Sequence, residues 1–137
     1  MLAGSIIVTE FDKRRLLGLI EIFRARSTDP DSLDELEFEL ERADTVDPWN
    51  VPADVVTMNS TVELVDLDTR DRRTLTVVFP GPADAASGRV SILAPVGLAL
   101  LGARQGAQVE CPTPSGTRRV VVERISFQPE ASGKYNL

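Results

Sequence analysis

Histidine does not occur in this chain. Its absence removes Ser-His-Asp and Cys-His triads, histidine-bound metals and phosphohistidine chemistry in one step. Carboxylates and lysines remain as catalytic groups, so the easiest routes to an enzyme are closed. Cysteine is almost as scarce. A lone Cys111 permits neither an internal disulfide nor a multi-cysteine zinc site. It fits a reducing compartment and reads as a small apolar strand residue rather than a nucleophile. No long apolar run is present either. The most apolar stretch, Ile92 to Ala103, ends at Arg104 after about a dozen uncharged residues, short of the roughly 20 that a membrane span needs. The opening MLAGSIIVTEFDKRR has too short an apolar stretch and no leading basic region for a signal peptide. A cytoplasmic protein with no membrane partner is expected. A strongly basic segment is also missing, which argues against direct binding of nucleic acid.

What is present suits one globular domain, or a small domain with an appendage, in 137 residues that are 42% hydrophobic and 26% charged. The net charge of −6 is unevenly spread: residues 27–44 hold eight acids against the single base Arg42.

Leu16, Leu17, Ile20 and Phe23 recur at helical spacing, which predicts a helix over Thr9–Arg26 with Thr9 and Asp12 as a capping box. Phe11, Leu19 and Ile22 widen its apolar face, so cover on more than one side is expected. Asp29-Pro30 breaks the chain. Ser32 and Glu35 form a second capping signal, and Leu33, Leu36, Leu40 and Ala43 make one narrow seam. Two helices joined by a short loop run antiparallel, so residues 1–46 read as a helical hairpin with an acidic second arm. Pro48 and Pro52 mark a linker.

Beyond it, residues 47–137 read as a β domain. Strands are expected at Thr61–Asp68, Arg73–Phe79, Val90–Leu93, Gln108–Cys111 and Arg118–Phe127, joined as an antiparallel sheet. Pro95 suits a helix's first turn and Gly102 its end, so Pro95–Leu101 forms a short helix between strands. From the residues alone it is a core helix plugging a curved sheet. Its apolar density also allows an exposed, partner-facing side. Asn59-Ser60 reads as a turn or bulge entering a strand.

The run LAPVGLALLGARQGAQVECPTPSG (93–116) resembles the signature of the Gre-type transcription factor family. VTMNS (56–60), QPEA (128–131) and ELERA (39–43), in their places along the chain, resemble its Rnk branch of nucleoside diphosphate kinase regulators. The likeness covers essentially the whole chain. It implies an α+β protein: a short N-terminal antiparallel coiled coil, then an FKBP-like C-terminal domain with one short helix. It further implies a non-enzymatic regulator whose partner is bacterial RNA polymerase, docked near the secondary channel in competition with Gre factors.

On this likeness Ala94, Pro95 and Val96 are the candidate polymerase contacts. Leu93-Ala94 stands where Gre factors commonly carry Asp-Ser. The hairpin tip carries Asp29, Asp31, Asp34 and Glu35, where Gre factors hold metal-supporting acids. Here these acids read as turn formers and helix-start charges, so no metal, no cofactor and no transcript cleavage are expected. A monomer is expected. Two alternatives are an FKBP-like prolyl isomerase, for which only Phe79, Phe127 and Tyr135 could supply aromatic walls, and a direct binder of nucleoside diphosphate kinase.

Overall fold

In the computed structural model, residues 6–26, 30–113 and 115–134 are described. A short strand β1 (Ile7–Thr9) leads into helix α1 (Glu10–Arg24). Thr9 caps α1, its hydroxyl oxygen accepting the Asp12 N–H at 3.0 Å. Helix α2 (Pro30–Arg42) begins earlier than the capping signal at Ser32 suggests, so Ser32 lies within its first turn. A proline fits there because its missing N–H falls where a helix has no partner to offer. Strand β2 (Asp44–Val46) returns to pair with β1, in parallel.

The hairpin's inner stripe is Leu16 and Ile20 from α1 with Leu33, Leu36 and Leu40 from α2, all buried. Each such side chain contributes about 1.5–3 kcal/mol by leaving water. The wider apolar face expected of α1 is not covered: Phe11 is 38% and Ile22 55% exposed. The Arg14 guanidinium lies 6.0 Å from the Phe11 ring centroid and is its visible partner.

The linker contains a short 3-10 turn at Pro48–Asn50. Strands β3 (Thr61–Asp66), β4 (Arg72–Val78), β5 (Arg89–Ser91), β6 (Gln108–Thr113) and β7 (Gly116–Phe127) form one sheet in the order β5-β4-β3-β7-β6. Three of its pairings are antiparallel; at one edge β5 runs parallel to β4. Two register shifts between β3 and β7, at Thr61/Val62 and Glu63/Leu64, curl the sheet as bulges do. The short helix of this part is α3 (Pro95–Leu100). Val56, Met58, Val62, Leu64 and Val122 from the sheet side join the hairpin's leucines in one continuous core. The expected α+β arrangement is therefore present. No helix among the described residues is long and apolar enough to cross a membrane.

Candidate partner-docking site

Helix α3 sits where β5 ends, and backbone contacts fix it there. The Ile92 N–H donates to the Val78 carbonyl (2.8 Å), the Ala94 N–H to the Ser91 carbonyl (3.0 Å), and the Leu93 N–H to the Ser91 hydroxyl (3.0 Å). Ala94 is the N-cap and Pro95 opens the helix, with no side-chain cap. Gly97 lies so close to β5 that an added Cβ would sit 2.2 Å from the Ser91 carbonyl oxygen. At the other end Gly102 takes φ +80 and its N–H donates to the Val56 carbonyl at 2.9 Å; a Cβ there would fall 2.4 Å from Ile6 Cβ. The helix is pinned by two close approaches that only glycine permits.

This pinning decides what faces out. Gly97, Leu100 and Leu101 are buried, Val96, Leu98 and Ala99 are half-buried, and Pro95 is exposed beside a half-buried Ala94. The three contact candidates Ala94, Pro95 and Val96 therefore lie together at the start of α3. Pro95 and Pro112 stand between two hollows and line both. The first, about 520 Å³, has an apolar floor including Leu64, Val96, Cys111 and Val120, with Asp66, Asp71, Arg73 and Arg118 among its polar lining. Arg118 pairs with Asp66 at 2.9 Å. The Asp66 carboxyl is held below its usual range by the Thr69 N–H first, then by the Asp68 N–H and Arg118. Burial pushes the Cys111 thiol up, with the Arg73 charge opposing, which suits an inert wall residue rather than a nucleophile. None of the residues lining this hollow is aromatic. Phe79 instead lies 4.9 Å under the Arg15 guanidinium, and Tyr135 lies outside the described residues. Among the described residues, the aromatic-walled hollow of the isomerase reading is not assembled. The second hollow, about 500 Å³, lies between α2, α3 and β6.

The described tip acids do not gather. Asp34 accepts from Arg24 at 2.9 Å, and Arg24 also reaches Glu37 at 3.0 Å. Asp31 is exposed in the first turn of α2, Glu35 faces the second hollow, and Asp29 lies outside the described residues. Among the described residues no group of three or more metal-ligating side chains is assembled.

Sequence reasoning missed a buried polar joint between hairpin and sheet. Asp12 is 1% exposed; its Oδ2 accepts the Met58 N–H at 3.1 Å and its Oδ1 accepts Arg15 at 2.7 Å. Thr57 donates its hydroxyl to Glu130 Oε1 at 2.7 Å, and the Ser60 hydroxyl oxygen accepts the Thr57 N–H at 2.9 Å. Gln128 donates to the Pro52 and Val55 carbonyls at 2.8 and 2.7 Å. Asn59 takes φ +66, the turn its sequence suggests. The VTMNS and QPEA phrases are thus two halves of one hydrogen-bonded knot. A signal was available: Asp12, Leu16 and Ile20 are four residues apart, which puts the acid on the buried stripe.

Burial raises the carboxyls of Asp12 and Glu130, opposed by Arg15 and Met58 at the first and by Thr57 at the second. Between its ordinary and its raised value, Glu130 binds its proton more tightly folded than unfolded. Stability falls as pH rises through that window and stays lower above it. Glu130→Gln removes this pH dependence while keeping an acceptor for Thr57. Urea midpoints of variant and wild type, compared at about pH 4 and about pH 7, are expected to diverge in the variant's favour at the higher pH. A difference independent of pH would contradict this.

The comparisons with known proteins agree along the chain. Residues 51–127 match the family model for the transcription elongation factor GreA/GreB C-terminal region, and residues 5–46 match that of the Rnk N-terminus. The chain belongs to the GreA/GreB family, in its Rnk branch. It is 36% identical to the "Regulator of nucleoside diphosphate kinase" of Escherichia coli (strain K12), over 97% of both chains. It is 40% identical to the transcription elongation factor GreA of Azorhizobium caulinodans over 68% of this chain and 59% of that protein. Among solved structures, the transcription elongation factor GreA/GreB of Nitrosomonas europaea superposes with a TM-score of 0.76 at 40% identity, covering 91% of this chain and all of that one. These Rnk and GreA/GreB relatives are named as regulators or elongation factors, not as enzymes.

Proposed function

We propose that the chain is a non-enzymatic transcription regulator that binds bacterial RNA polymerase at the rim of the secondary channel. In this reading residues 47–137 are the docking unit and residues 1–46 a short probe that points into the channel. Ala94, Pro95 and Val96 make the first contacts. The observation that carries the proposal is the exposed Pro95 at the head of a helix held rigidly by Gly97 and Gly102, beside an apolar hollow. An apolar patch with a polar rim is what a partner surface requires. Competition with other Gre-type factors follows from sharing their docking unit. Transcript cleavage does not follow. The 15 residues of α1 span about 22 Å, a short arm. Asp34 is also engaged by Arg24. The acidic α2 instead offers charge to basic channel walls, which speeds association at low salt. The protein acts as a cytoplasmic monomer without cofactor in this scheme.

Core polymerase is expected to retain wild-type protein on co-purification and to retain Pro95→Ala at least several-fold less. Equal retention of both would remove Pro95 from the interface, and no retention of wild type would end the proposal. The name of the Escherichia coli relative supports a second reading, direct binding to nucleoside diphosphate kinase. A parallel pull-down with that kinase separates the two: capture by the kinase and not by polymerase selects the second.

A further inference from the structure

The second hollow draws its walls from both ends of the chain. Helix α2 supplies Glu35, Leu36 and Glu39, α3 supplies Leu98 and Ala99, and β6 supplies Glu110. Among the described residues, its ionisable lining is acidic: Glu35, Glu39 and Glu110. Glu39 has a cation nearby, Arg42 at 3.5 Å, whereas among the described residues no ion pair engages Glu35 or Glu110. Carboxylates of one sign around apolar surface repel nucleic acid and anionic lipid, and the apolar floor favours removal from water. An occupant must therefore bring apolar side chains flanked by positive charge. About 500 Å³ falls within the roughly 300–1,000 Å³ of binding hollows.

We propose that this groove binds a basic amphipathic protein segment, its apolar row lying on Leu36, Leu98 and Ala99 and its lysines or arginines meeting Glu35, Glu39 and Glu110. This is the helix-in-groove mode with charge-set register. It lies on the other side of Pro95 and Pro112 from the apolar hollow invoked for polymerase, and it does not require polymerase as the partner. The occupant bridges α2 and α3, so its binding ties the hairpin to the sheet and raises the stability of the folded chain.

A labelled leucine-lysine peptide with helical amphipathic period is the probe, titrated into the full chain. The control is a peptide of the same composition with that period destroyed. The periodic peptide is expected to bind roughly tenfold more tightly. Combining Glu35→Gln, Glu39→Gln and Glu110→Gln is expected to cost roughly tenfold or more in affinity. Removing acids that do not line the groove, by Glu21→Gln, Glu41→Gln and Glu123→Gln together, should cost under about threefold. Backbone amide shifts in wild type, which do not depend on any variant folding, are expected to move at residues 35–39 and 96–101. Failure of the periodic peptide to bind, equal binding of both peptides, equal losses in the two triple variants, or shifts elsewhere would each overturn the proposal.

Discussion

Gly97→Ala is expected to cost about 3 kcal/mol of stability and to weaken partner docking with it. The added methyl would meet the Ser91 carbonyl oxygen at 2.2 Å and the Ile92 Cα at 3.1 Å. Both obstacles are backbone, so neither can swing away as a side-chain tip would. The carbonyl of Ser91 also accepts the Ala94 N–H that starts α3. Relief must therefore come from lifting α3 off β5, which displaces Pro95 and opens the core at Leu100. Urea unfolding measures the first effect and polymerase retention the second. A variant as stable as wild type would show that α3 has freedom the packing denies. Ala99→Ser, on the same helix but half-buried, serves as the mild control.

Asp12→Ala is the second large effect, about 3 kcal/mol. The substitution strands the Met58 N–H in the interior and deprives Arg15 of its carboxylate. Asp12→Asn keeps an acceptor for Met58 and should lose less, although it gives up the charge pair with Arg15. Asn above Ala in urea midpoint at neutral pH separates the hydrogen bond from packing. Equal stability of the Asn and Ala variants would show that the Met58 contact contributes nothing. The joint lies between hairpin and sheet, so loss of the Met58 bond should also loosen the hairpin's seating, visible as faster amide exchange in residues 56–60.

Much of this arrangement is legible in the sequence where a period is long enough to repeat. The leucine seam of α2 and the inner stripe of α1 repeat over two turns or more, and Leu16, Ile20, Leu33, Leu36 and Leu40 are buried as read. Pro95 and Gly102 bracket α3 because each has one conformational reason to be there. The parallel pairing of Ile7–Thr9 with Asp44–Val46 was not legible, since three residues carry no period and the partner is more than 30 positions away. The edge strand is expected from the sequence, at Val90–Leu93, but its parallel pairing with β4 is not, since three paired residues carry no period. Asp12 was misjudged because a capping role explains an acid at that position without asking where its side chain points. The contacts of Gly97 with Ser91 and of Thr57 with Glu130 depend on how the sheet curls, and that is set by bulges no local pattern announces.

The most direct test of the central claim is a competition titration on core RNA polymerase. A labelled GreA-type factor is bound to the enzyme and this chain is added, with Pro95→Ala in parallel. Displacement by wild type, several-fold weaker displacement by the variant, and no gain in transcript cleavage are the predicted results. Simultaneous binding of both factors, or cleavage stimulated by this chain, would contradict the account.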